Sequence, residues 1–166
     1  MIVWTDRDDG ASSRSLGAEG REPAAGSLVR AYRLESVLGA GRFATVSRAV
    51  PAISQRVVAL KVFDPERTAD LAVAERFAAI MPDVARLQHP NLLPIKHFGE
   101  VDGVLVLAMP LASGGSLAPR ARPPLDPKSL IRAISDVSAA LDAVHGAGMV
   151  HGDVRPSNVL IAVPGQ

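Results

Sequence analysis

Val150-His151-Gly152-Asp153-Val154-Arg155-Pro156-Ser157-Asn158-Val159-Leu160 is the stretch on which the reading of this chain turns. A His, an Asp, a cation and an Asn fall within eight residues, between a helical pattern and a β-branched run. A carboxylate can take a proton from a hydroxyl. A guanidinium can sit on a phosphate, and an amide oxygen can hold a hard metal ion. These residue types at fixed spacing are specific only as a set, and a polar turn between a helix and a strand is the plain alternative.

Immediately upstream, Asp126-Pro127 supplies an N-cap and a first-turn proline. Leu130, Ile134, Val137, Leu141 and Val144 then step by four and three, and Gly146 and Gly148 close the helix. Downstream, Val159 to Val163 reads as a strand and Pro164-Gly165-Gln166 as the start of a turn. Before the helix, Pro110 to Gly115 is a hinge rich in small residues. Gly103 to Met109 is apolar enough for a central strand, and Leu92 to Gly99 reads as another. His89-Pro90-Asn91 ends a helix expected over 70–88, with Phe77, Ile80, Val84 and Leu87 as its apolar stripe. Pro82 falls inside it and is expected to kink it or restart a turn.

Further out, 31–38 alternates like a strand, and Thr45 to Val50 reads as a second. Between them Gly39-Ala40-Gly41 allows a tight turn whose amides can approach phosphate oxygens. An ordinary hairpin turn explains Gly-x-Gly equally simply. The strand that follows, in place of a helix, disfavours a dinucleotide-binding unit. Val57 to Phe63 is a third strand, with Ala59 and Lys61 on one face. A Lys in an apolar strand needs a partner for its ammonium. After a glycine turn, a phosphate ligand is the better reading than an edge-strand Lys reaching solvent.

The 166 residues suffice for one domain with a real core. Eighteen Lys and Arg against 17 Asp and Glu leave a net charge of +1, which makes no case for nucleic acid or an anionic membrane. There is no Cys, which excludes disulfides and thiolate metal sites. The first residues turn acidic too soon for a signal peptide, and no apolar run reaches membrane-spanning length. A cytoplasmic location is the default expectation. Residues 6–27 are rich in Gly, Ala, Ser, Arg and Glu and lack an apolar period, so 1–28 is expected to be a disordered tail.

Taken in order, strand, glycine turn, strand, Lys-bearing strand, helix, two strands, hinge, helix and polar loop, the chain resembles the bacterial serine/threonine protein kinases from about Tyr32 to Val163. The resemblance implies an α+β fold. A first lobe, 29–109, would be a five-stranded antiparallel sheet plus one helix. A hinge follows at 110–115, then an incomplete helical second lobe at 116–166 comprising a long helix, the catalytic loop and a short strand. It also implies ATP and Mg²⁺ as cofactors and transfer of a phosphoryl group to a protein hydroxyl. Gly39, Gly41 and Val46 match the glycine-rich loop, Ala59 and Lys61 the strand that meets adenine and the α- and β-phosphates. Met109 matches the back of the adenine pocket, and Pro110 and Ala112 the hinge, where a carbonyl and an amide N–H face adenine. Asp153 matches the catalytic base, Arg155 the family's Lys near the γ-phosphate, Asn158 the metal ligand and Leu160 the floor under adenine.

The departures are as informative. The Glu that pairs with the strand Lys falls at Ile80, and Ala44 replaces the third glycine. Gly152 replaces the Arg that reads an activation-loop phosphate. The Asp-Phe-Gly motif would lie just past Gln166, so the aspartate that holds the principal Mg²⁺ is not among these residues. Weak or absent activity is therefore expected of the chain as given. The helix over 127–145 is expected to need cover from a partner or a second copy. A non-catalytic kinase-like module is the second reading. An aminoglycoside- or choline-type phosphotransferase, which writes a similar His-Gly-Asp loop, is a third.

Overall fold

In the computed structural model, the described residues are 2–5, 28–29, 31–41, 43–54, 56–68, 71–101, 103–118 and 125–162. In chain order the elements are β1 (Ile2–Thr5), β2 (Leu28–Val29), β3 (Tyr32–Ala40), β4 (Ala44–Pro51), β5 (Val58–Phe63), α1 (Pro65–Thr68), α2 (Leu71–Arg86), β6 (His97–Val101), β7 (Val104–Pro110), α3 (Pro127–Gly146), a 3₁₀ turn (Pro156–Asn158) and β8 (Val159–Ala162). They form two compact units. One comprises Gly17–Arg86 and Pro94–Leu111, and the other Met1–Leu16, Leu87–Leu93 and Ala112–Gln166.

The first unit is built on an antiparallel sheet in the order β2-β3-β4-β5-β7-β6. The five strands expected of the first lobe are all there, and two-residue β2 extends the β3 edge. Strand alternation sorts the side chains cleanly. Leu34, Ala49, Val58, Leu60, Val106 and Ala108 form the hydrophobic core with Tyr32, on one face. Leu60 and Val106 are fully buried, each worth about 1.5–3 kcal/mol on an area basis. The opposite face carries Lys61 and Phe63. There α2 packs through Phe77, whose ring meets Phe63 edge-on at 5.0 Å.

Two expectations for this unit need correction, the apolar stripe of the helix and the strand over 92–99. At the proline position α2 is one continuous helix, Leu71–Arg86, with Pro82 inside it and no restarted turn. Pro82 and Ala78 are both exposed, so the carbonyl that loses its N–H partner can be met by water. The buried stripe position is Met81, whereas Ile80 is 49% exposed. The strand expected over 92–99 begins only at His97, because Pro94 has no N–H to give a ladder.

In the second unit, α3 starts on Asp126, whose Oδ1 accepts from the N–H groups of Lys128 and Ser129 at 2.9 and 3.1 Å. Ala133 of α3 packs on Val159 and Ile161 of β8, with Leu117, Leu125 and Val137 around them. The buried residues of α3 are Ala133, Ala140 and Val144. Leu130 and Ile134, expected in the buried stripe, are 48% and 58% exposed. Alanines let the helix backbone approach the strand closely, and that turns the larger side chains outward.

The tail expectation also changes. Residues 6–27 lie outside the described residues, but Ile2–Thr5 is strand β1, paired in parallel with β8 from Ile2↔Val159 to Thr5↔Ala162. Four β-branched and aromatic residues form a strand where an edge is available, and no sequence pattern announces that edge. Val163, expected to end β8, also lies outside the described residues.

Candidate functional site

Five sequence-predicted residues of the first unit, Gly39, Val46, Ala59, Lys61 and Met109, fall on one face of its sheet. Gly39 is registered against Val46, Val46 against Lys61, and Lys61 against Leu107, a single row across β3, β4, β5 and β7. The next row on that face pairs Ala59 with Met109. Ala59 and Met109 are 5% and 3% exposed, and Lys61 is half-buried. The Lys61 ammonium lies 5.1 Å from the Phe63 ring centroid, within cation–π reach. Pro110 ends β7 opposite Val58. The carbonyl of Ala112, which opens the last segment of the other unit, accepts from the Gly115 N–H at 3.4 Å.

The glycine turn is a tight hairpin. The Gly41 N–H donates to the Ala44 carbonyl at 2.9 Å. Gly39 has no left-handed φ, and a Cβ added there would meet nothing within 4 Å. Neither backbone conformation nor packing among the described residues therefore demands glycine at this position. What glycine provides is bare backbone facing open space, which suits the approach of a phosphate-bearing group.

The second unit carries the polar loop. Asn158 Nδ2 donates to Asp153 Oδ2 at 2.7 Å and to the Asp153 carbonyl at 2.9 Å. Arg155 Nε stands 3.3 Å from Asp153 Oδ1, with both side chains about 60% exposed. Such an exposed pair contributes little stability, and it orients the carboxylate rather than anchoring the loop. The Asn158 N–H donates to the Arg155 carbonyl at 2.8 Å, closing the 3₁₀ turn. Gly152 has φ +73°, the left-handed region, so glycine is the natural residue immediately before Asp153. Leu160 follows in β8, bridged to Ser116.

Sequence reasoning gave His151 no role, and the structure supplies one. Its Nδ1 accepts the Asp153 backbone N–H at 3.2 Å. Burial pushes the imidazole below its ordinary pKa, with the Asp153 charge pulling the other way, and the neutral ring is the form able to accept this bond. Sequence reasoning placed Gly114 in the small-residue hinge and gave it no packing role. A Cβ there would lie 2.8 Å from Ile161 Cβ, Cγ2 and carbonyl oxygen. No spacing rule foretells that approach, because it depends on where β8 comes to lie.

The protein kinase domain family matches residues 32–166. This chain belongs to the protein kinase domain family. Among curated relatives of this family, serine/threonine-protein kinase PknE of Mycobacterium tuberculosis is 36% identical over 147 residues. That alignment takes in 87% of this chain and 25% of the relative. PknH of Mycobacterium bovis is 34% identical over 146 residues, again 87% of this chain and 24% of the relative. The chain thus spans about a quarter of the length of these kinases. Crystal structures of the PknI kinase domain of Mycobacterium tuberculosis superpose with TM-scores of 0.69 and 0.74 at 29% identity. They cover 85% and 84% of this chain, which spans 62% and 63% of theirs. The fold is accordingly that of a kinase first lobe and the beginning of the second.

Among the described residues no helix is long and apolar enough to cross a membrane. No group of three or more His, Asp or Glu is placed among them to hold a metal ion.

Proposed function

We propose that this serine/threonine kinase domain segment binds ATP on the Gly39–Val46–Lys61 face, and that its phosphoryl transfer is weak or absent in the chain as given. The observation that carries the reading is the placement of Gly39, Val46, Ala59, Lys61 and Met109 on one sheet face, opposite the hydrophobic core. Val46, partly exposed, offers apolar surface for a purine, with buried Ala59 and Met109 in the adjoining row, and Lys61 a cation for phosphate oxygens. Pro110 keeps a carbonyl and Ala112 an N–H, the acceptor and donor a purine edge needs.

When bound, ATP supplies the transferable γ-phosphoryl group. Asp153 is the group to accept the proton of an incoming serine or threonine hydroxyl. Its carboxylate has lone pairs beyond those taken by Asn158 and Arg155. Arg155 supplies positive charge beside it. With Nδ2 committed to Asp153, Asn158 retains Oδ1 as a hard oxygen donor. Mg²⁺ keeps several waters and takes phosphate oxygens, so one such donor fits a metal carried in with the nucleotide better than one caged by protein. Phosphoryl transfer depends on positioning and charge neutralisation. One neutral protein oxygen would hold that metal only loosely, and on that ground catalysis is weak.

The second reading, a kinase-like module that binds nucleotide or a partner without catalysis, is favoured by Ile80 at the place of the helix Glu. Calorimetric titration with ATP, with and without Mg²⁺, separates the readings when paired with a phosphorylation assay. Binding that Lys61→Met abolishes supports the nucleotide site, and measurable transfer lost in Asp153→Asn supports the enzyme. Absence of binding at millimolar ATP removes both nucleotide roles.

A further inference from the structure

β8 immediately follows Asn158, and its two edges are held in different ways. On one edge the Gly114 N–H donates to the Ile161 carbonyl at 3.1 Å. The Ile161 N–H donates to the Gly115 carbonyl at 2.9 Å, and the Leu117 N–H to the Val159 carbonyl at 2.9 Å. Alternation along a strand then turns the backbone polar groups of Leu160 and Ala162 to the other edge. That edge is occupied by β1, in parallel register. β1 lies outside the residues matched by the kinase family, which begin at 32, so the pairing is a feature of this chain's own amino-terminal segment.

We propose that Ile2–Thr5 is a strand acting in cis: by strand addition to the open edge of β8 it holds β8 in place, and with it the Asp153–Asn158 loop. Its partner surface is the β8 edge, and its occupant is this chain's own amino-terminal segment. Three observations converge on this. The register is continuous over all four residues of both strands. Val159 and Ile161, the β8 residues that pack on α3, are 5% and 2% exposed. The turn Pro156–Asn158 joins β8 directly to the side chain that fixes Asp153. A strand end that wanders moves Asn158, and Asn158 makes two hydrogen bonds to Asp153. Ile2–Thr5 is thus a positioning element, touching neither substrate nor nucleotide. Its effect on nucleotide rests on the proposed ATP reading, whereas its effect on β8 does not.

In a parallel ladder Leu160 exchanges its bonds with the residues flanking its register partner Val3, namely Ile2 and Trp4. Trp4→Pro removes that N–H, while Trp4→Val keeps both the donor and a strand-forming side chain. Hydrogen exchange by mass spectrometry on the full chain is the test. Expected is exchange about tenfold faster over 151–162 in Trp4→Pro. Trp4→Val and the segments of β4, β5 and β7 should exchange as in the parent. Unchanged protection of 151–162 in Trp4→Pro overturns the proposal. Equal loss in Trp4→Val overturns it too, because side-chain packing would then be the cause. Protection that rises with protein concentration alongside a dimer mass in light scattering overturns the cis assignment. A second arm titrates ATP with Mg²⁺. Weaker binding in Trp4→Pro supports the link to the site. If the parent binds no ATP, the ATP reading fails and the exchange result still judges the strand.

Discussion

Gly114→Ala tests the packing beneath the polar loop most directly. The added methyl would sit 2.8 Å from three atoms of Ile161, and one of them is a backbone oxygen that cannot rotate away. That separation is well inside van der Waals contact, so the 114–117 segment and β8 must move apart. Three hydrogen bonds that join them, of 2.9–3.1 Å, stretch with the displacement. Overpacking of this kind costs about 1–3 kcal/mol. In a chain of this size a loss of that order lowers the melting temperature by about 2–12 °C. Differential scanning calorimetry reads the shift. A cycle with Ile161→Ala locates its cause. Removing Cγ2 relieves one of the three contacts and leaves Cβ and the carbonyl oxygen, so the double variant should be less destabilised than the sum of the singles by about 0.5–3 kcal/mol. The double variant should not recover the parent stability, since Ile161→Ala itself empties a buried site at a cost of about 2–5 kcal/mol. A Gly114→Ala protein that melts with the parent and shows no coupling to Ile161 would refute the reasoning.

Gly39→Ala is the complementary case. The new methyl meets nothing, so stability should stay level or rise by up to about 1 kcal/mol, while ATP affinity measured by titration should fall; equal affinity would remove the glycine turn from the site. The pH response of the loop follows from His151. Its folded pKa is depressed by burial, so its contribution is intact above the unfolded value of about 6.5 and is lost as pH falls from there through the folded value. Exchange at the Asp153 amide should therefore accelerate, relative to its intrinsic rate, as the pH falls below about 6.5, and His151→Gln should flatten that profile. Finally, Leu130, Ile131 and Ile134 are 48%, 68% and 58% exposed on α3. The double variant Ile131→Glu, Ile134→Lys should leave the melting temperature nearly unchanged and reduce self-association in sedimentation velocity. A parent that stays monomeric at every concentration would end the expectation of a second copy covering α3.

Much of the fold was legible because the strands alternate and the helices step by three and four. Lys61 and Ala59 could be set on one face from period alone, and the register then aligned them with Val46 and Met109. The loop from His151 to Asn158 could be picked out because its residue types are unusual together. That Asp153, Arg155 and Asn158 contact one another within it is seen only in the structure. Helix phase was harder. At α2 and α3 the periodic pattern admits neighbouring stripes, and the buried ones run through Met81 and through Ala133 and Ala140.

By itself the amino-acid sequence determined the element types, the candidate chemistry and the family, since each rests on local period or on residue types at short spacing. Tertiary structure alone decided which face of α3 is covered, why Gly114 has no room for a methyl, that His151 accepts the Asp153 amide, and that Ile2–Thr5 pairs with β8. Strand pairing and helix burial depend on which distant segment arrives alongside, and the short stretch of chain being read does not contain its neighbour.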